Sequence, residues 1–337
     1  MEELKQMLFR LCEADGVSGD ESDAAAAAAK EFPPSAEPET DRLGNLTASV
    51  GPKNAKTVLL DAHLDQIGLI VTGIDKNGFL HVDKCGGMDR RVMPGAAVVV
   101  LGRERVDGVI GSVPPHLAGA DAEKVPEPDR MTVDIGCSRK EAEGLVRPGD
   151  RIVFRAQPRA LLGTRVTAPG LDDRASVAAL IRCAQLLAEK PPRCRVLFQF
   201  STREEVGGQG AVTGSYRADP AQGIAVDVSF ARQPGVEPEK CGELGGGPMV
   251  GFAPILDRAL GERLVRLAEK NGIPYSREVM GGETGTNGDA IAVTRSGVPT
   301  ATVSIPLRYM HTPAEVVDLR DIENTAKLLA AYLLEAE

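Results

Sequence analysis

Apolar residues recur along this chain with two different periods. Leu4, Met7, Leu8 and Leu11 share one helical face, and the alanine run 24–29 follows the candidate caps Ser18 and Asp20, so two helices are expected to open the chain. Later come short, nearly continuous apolar runs at 57–60, 196–200, 224–228 and 300–305. Each has the length of a strand buried on both faces. Helical patterns lie between them: Val177, Leu180, Ile181, Ala184 and Leu187; Leu260, Leu264 and Leu267, ending at Asn271 and Gly272; and Ile322, Ala326, Leu329 and Leu333. Buried strands alternating with amphipathic helices predict a layered α/β domain.

The stretch 71–162 has a different texture. Gly and Pro punctuate short strand-like runs such as 96–101 and 151–154, and the one helical signal opens at Ser138, with Glu141 at capping-box spacing. We read residues 71–162 as a small β-rich domain inserted into an α/β domain built from residues 1–70 and 163–337. The alternative is one continuous domain with a long excursion.

With 337 residues the chain can bury a large core. Cys12, Cys85, Cys137, Cys183, Cys194 and Cys241 are scattered without C-x-x-C spacing, which indicates neither a disulfide framework nor a cysteine zinc site. No apolar run approaches a membrane span and no basic leader precedes an apolar segment, so the expected location is the cytoplasm, with no membrane partner. A net charge of -9 argues against a nucleic-acid surface. Trp is absent and aromatics are 4% of residues, leaving few platforms for sugars or bases.

Five segments carry candidate chemistry, and each alone also has a plain structural reading. His63 and Asp65 follow a buried run; a histidine there can bind a metal while a nearby carboxylate fixes its tautomer. Asp172 and Asp173 open a helix, where acids usually act as caps. Glu204 and Glu205 follow the run 196–200. Neighbours at a strand end point different ways, so one can hold a metal while the other faces water. Asp227 interrupts an apolar strand and must find a cation, a donor or solvent. His311 sits in a loop after a strand, where α/β sites collect. Histidines with carboxylates and no cysteine suit a divalent metal such as zinc, cobalt or manganese. His81 and His116 fall in the inserted segment and are read as structural.

In this order and spacing the motifs resemble the tetrahedral aminopeptidase family, family forty-two of the metallopeptidases. The resemblance runs through Gly16-Val17-Ser18-Gly19 with Glu21, Asp41-Arg42-Leu43-Gly44-Asn45 and Ala62-His63-Leu64-Asp65-Gln66-Ile67-Gly68. It continues through Gly111 to Leu117, Leu171 to Arg174, Glu204 to Gly207, Gly285 to Ala290 and Ser304 to Pro313, covering nearly the whole chain. It implies a zinc-peptidase-type α/β/α domain and two divalent metal ions per subunit, zinc or cobalt. Asp172 would bridge them, with His63 and Asp227 on one and Glu205 and His311 on the other. Glu204 would be the general base and Asp65 would orient His63. The implied activity is removal of the N-terminal residue from short peptides by a homo-oligomer of up to twelve subunits. Asn287-Gly288 departs from the Asp-Ala of many relatives, and Glu283 beside it has no assigned role. Two rival readings are a glycosidase, which would use two carboxyls and no metal, and a non-catalytic metal-binding relative.

Overall fold

The computed structural model describes residues 1–118 and 124–336. Its centre is an eight-stranded mixed sheet in the order Glu39–Thr40, Leu46–Val50, Arg195–Ser201, Thr57–His63, Gln222–Phe230, Thr300–Leu307, Met249–Phe252 and Ser276–Val279. Four central strands, from Arg195–Ser201 to Thr300–Leu307, run parallel. Their alternation sorts the apolar residues by face. Val58, Leu60, Ala62, Phe198 and Phe200 pack with the helices Glu2–Glu13, Leu171–Glu189, Arg258–Asn271 and Leu319–Glu335, whereas Leu59, Leu197 and Ala225 meet Ile291 of the short helix Gly288–Ala292 on the other side. Helices therefore cover both faces, as the continuous apolar strands require.

The strands Gly68–Ile74, Leu80–Cys85, Thr132–Asp134, Arg105–Ile110, Ala97–Leu101 and Arg151–Phe154 close into a barrel. It encloses its own core, which includes Leu69, Val71, Val82, Val100 and Ile152. Its first strand begins at Gly68 and its last ends at Phe154. Arg159–Ala160 instead joins Arg165–Ala168 and Glu315–Asp318 in a separate three-stranded sheet. The barrel sits tightly on the larger domain, because a Cβ at Gly68 would come within 2.6 Å of Val17 Cγ2.

Helix ends follow their local chemistry with one correction. The box at Ser138 and Glu141 is formed, and Gly272 ends its helix at φ 63°. Ser18 and Asp20, however, do not cap the alanine-rich helix, which runs Ser22–Glu31. The Ser18 hydroxyl donates instead to Asp65 at 2.6 Å. Among the described residues no helix is long and apolar enough to cross a membrane.

Candidate metal centre and active site

In a parallel α/β sheet, loops that leave the carboxyl ends of the strands gather at one edge. Here that edge collects His63, the last residue of its strand, the Ser201–Glu205 turn, Asp227 near the end of its strand, and the His311 loop after Leu307. Asp172 arrives from the opposite direction, in the turn before a helix. Its φ of -81° and ψ of 100° are not helical, and the Asp172–Asp173 peptide bond is cis. The acids expected as ordinary caps thus stand before the first helical turn.

The two carboxylate oxygens of Asp172 face different histidines. Oδ1 lies 3.0 Å from His63 Nε2, and Oδ2 lies 3.2 Å from His311 Nε2. Asp227 Oδ1 is 3.8 Å from His63 Nε2, and Glu205 Oε1 is 3.3 Å from His311 Nε2. Among the described residues two groups could hold a metal ion, His63 with Asp172 and Asp227, and Asp172 with Glu205 and His311. Within each group the ligand atoms lie within 4.8 Å of one another. Asp172 belongs to both.

The electrostatics shows what this cluster lacks. Burial pushes the carboxyls of Asp227 and Asp173 well above the usual carboxylate range, and nearby acids add to it. Burial also raises Glu204, to about 7, with Glu205 and Asp172 adding repulsion. Asp172 goes the other way: burial would raise it, but the His311 and His63 rings beside its two oxygens hold it well below its ordinary value. Burial opposes a charged His311, yet Asp172 and Glu205 raise it to about 11; His63 is likewise raised well above its ordinary value by Asp172 and Asp65. Glu205 Oε1 is buried without a hydrogen bond, since its 3.3 Å approach to His311 lacks hydrogen-bonding geometry. Crowded buried carboxylates with an orphaned oxygen are the environment that cations relieve. The donor set therefore fits divalent metal ions.

Supporting contacts explain several motifs around the cluster. The Nδ1–H of His63 is in place to donate to the backbone carbonyl of Asp65 at 2.9 Å, leaving Nε2 toward Asp172. The Asp65 carboxylate is farther from that nitrogen, at 3.5 Å, and instead accepts the backbone N–H groups of Glu204 and Glu205 at 2.9 and 3.2 Å. Glu21 accepts the N–H of Arg203, which has φ 61°, and Asn45 accepts that of Thr202. The Gly16–Glu21 and Asp41–Asn45 segments thus brace the turn that carries Glu204 and Glu205.

Sequence reasoning gave no role to Glu315. It is 1% exposed and accepts the N–H of Asp172 at 3.1 Å and that of His311 at 2.9 Å, tying together the two segments that meet at the cluster. An acid directly before Val316-Val317, four residues after His311, was the available signal. Asn287 lies beneath the site and donates to Asp61 Oδ1 and Ser201 Oγ, both at 2.7 Å, so the departure at this position serves a buried polar network. Glu283 is exposed, and His81 and His116 lie on the surface away from the cluster. A cavity of about 470 Å³ opens over His63, Asp172, Glu204, Glu205, Asp227 and His311.

An α/β sheet carrying two histidine–carboxylate groups that share one acid, under an open cavity, has the form of a metal-dependent hydrolase. A lysyl aminopeptidase of Pyrococcus furiosus is 38% identical over 310 residues, covering 89% of this chain and 87% of that protein. An aminopeptidase from the archaeon Desulfurococcus kamchatkensis superposes with a TM-score of 0.93 at 33% identity, covering 99% of this chain and 95% of that one. The TET1 peptidase of Pyrococcus horikoshii, which can assemble into a tetrahedron or a large octahedral shell, matches with a TM-score of 0.87 at 33% identity, over 99% of this chain and 100% of that one. The profile of the M42 glutamyl aminopeptidase family matches residues 44–328, and the chain belongs to this family. It is a metal-dependent aminopeptidase.

Proposed function

We propose that the protein removes the N-terminal residue from short peptides at a pair of divalent cations, zinc or cobalt, bridged by Asp172. His63 and Asp227 complete one position, and Glu205 and His311 complete the other. The observation that carries this reading is the division of Asp172, whose two oxygens approach different histidines at 3.0 and 3.2 Å.

Cations held by these residues would supply Lewis acidity and lower the pKa of a water molecule toward neutrality. Glu204 belongs to neither ligand group, lines the cavity, and has its backbone N–H fixed by Asp65. It takes a proton from the attacking water and returns one to the leaving amine. The acidic cavity also receives the free amino group of the substrate, which restricts cleavage to the first peptide bond. A glycosidase would need only two flanking carboxyls, leaving His63 and His311 without a task.

Glu204→Gln is expected to keep two cations per chain while kcat on an aminoacyl amide falls roughly a hundredfold or more, the usual scale of general-base catalysis. Near-normal turnover in that variant would remove Glu204 from the role. Self-assembly into a closed shell of up to twelve subunits, admitting peptides and excluding folded proteins, completes the proposal together with a cytoplasmic location. The shell rests on the resemblance to the TET1 peptidase, and light scattering that returned only the 35.6 kDa monomer would contradict it. The location rests on six free cysteines.

A further inference from the structure

One carboxylate in the cavity is used neither by the two ligand groups nor by the proposed proton transfer. Glu278 lies on the edge strand Ser276–Val279, in register with Gly251 of the neighbouring parallel strand. Paired residues project to the same face of a sheet, so Gly251 leaves the path from Glu278 toward the sheet centre open. A Cβ there would stand 1.9 Å from Thr302 Oγ1. Across this gap the Glu278 carboxylate accepts the hydroxyl of Ser304 at 2.7 Å and that of Ser229. Ser229 is two residues beyond Asp227 on the same strand and face, a step of about 7 Å. The Glu278 carboxylate is thus tied to Ser229, one same-face step along the strand from Asp227, and lines the same cavity as the cation cluster.

This end of the cavity is richer in acceptors than in donors. Both serine protons are given to Glu278, so the serine oxygens are left as acceptors. The Thr302 hydroxyl, on a residue 1% exposed, has no hydrogen-bond partner and can donate or accept. No lysine or arginine is among the described residues lining the cavity. Met280, two residues from Glu278, and Phe230 add apolar surface suited to a methylene stem. Such a wall repels a substrate carboxylate and offers acceptors to an ammonium or guanidinium head.

We propose that Glu278 selects peptides whose N-terminal residue is basic, lysine or arginine, by pairing with its cationic head; this rests on the aminopeptidase reading above. The alternative role for Glu278 is purely structural, holding the edge strand against its neighbours. The test compares lysyl, norleucyl and glutamyl fluorogenic amides with the zinc-loaded enzyme. Wild type should show kcat/KM for the lysyl amide roughly tenfold or more above the norleucyl amide, the scale of one charge-assisted hydrogen bond, with the glutamyl amide slowest. In Glu278→Gln the lysyl-to-norleucyl ratio should fall to within about threefold of unity. A structural residue would change both substrates together and leave the ratio intact. Wild type that prefers the glutamyl or norleucyl amide, or a ratio unmoved in Glu278→Gln, overturns the assignment while leaving the aminopeptidase reading in place. If no amide is cleaved, that reading falls, and calorimetry still decides the role of Glu278. Lysinol, which has no scissile bond, should bind wild type more tightly than norleucinol by a similar factor, and equal affinities overturn the assignment.

Discussion

Replacing Asp65 with asparagine separates two functions that meet in one residue. The His63 ring is held by the Asp65 backbone carbonyl, which the substitution keeps, whereas the carboxylate holds the backbone of the two glutamates. Its Oδ1 accepts the Glu204 N–H, and its Oδ2 accepts the Glu205 N–H and the Ser18 hydroxyl. Whichever way the side-chain amide of the Asp65→Asn variant is turned, its NH2 meets a buried backbone N–H. The loss is at least one charge-assisted hydrogen bond together with an unpaired buried donor, about 3–5 kcal/mol in all. Urea unfolding of the chelated protein at pH 7 measures this directly. The Asp65 carboxyl is held below its ordinary 3.8, because the pairing with His63 and the bond from Ser18 outweigh a burial that opposes ionisation. A depressed acid contributes stability that is present above the unfolded value and is lost as pH falls through the folded one. The gap between wild type and variant should therefore narrow below about pH 4. In the metal-loaded protein, Asp65→Asn should retain two cations while kcat drops about ten- to a hundredfold through misplacement of Glu204. An unaltered urea midpoint with kcat within about twofold of wild type would refute the assignment of this carboxylate to the Glu204–Glu205 turn.

Other outcomes follow from the same geometry. Asn287→Asp places a second carboxylate against Asp61, whose carboxyl burial already raises to about 6. A raised acid penalises the folded state as pH climbs, so the variant should lose about 2–4 kcal/mol relative to wild type at pH 8 and far less at pH 5. Equal losses in urea melts at the two pH values would contradict this. Without cations the surrounding carboxylates favour the charged forms of His63 and His311, the latter raised to about 11, and a charged ring must shed its proton to become a ligand. Zinc binding should therefore release protons and tighten as pH rises; calorimetric heats that do not depend on the buffer's ionisation enthalpy would count against it. Chelation should abolish peptide cleavage and added zinc or cobalt should restore it, measured on an aminoacyl amide, and activity that survives complete metal removal would contradict the proposed site.

Much of the layered domain was legible because its strands are buried on both faces. A continuous apolar run such as 196–200 admits few other readings, and the strand observed, Arg195–Ser201, extends it by one residue at each end. The strand Met249–Phe252 and its edge neighbour Ser276–Val279 escaped notice because each is only four residues long, the first interrupted by Gly251 and the second half charged. The helix Gln209–Ala218 was hidden by two glycines and a thin apolar face. Barrel closure was not legible either, since Leu69 pairs with Ile152 across more than eighty residues and short runs say nothing about distant partners. At the candidate site, residue types and order were readable from the chain, but their connections were not. Nothing in a spacing of four residues reveals that Glu315 accepts from both His311 and Asp172. Nor does the Gly16–Glu21 segment announce that Ser18 holds Asp65 or that Glu21 holds the turn at Arg203, 182 residues away.

Anomalous diffraction from crystals grown with zinc is the most direct test of the cation pair. Two peaks per chain are predicted, each against a different oxygen of Asp172, one beside His63 and Asp227 and the other beside Glu205 and His311. A single peak, or peaks that leave Asp172 uncontacted, would contradict the account.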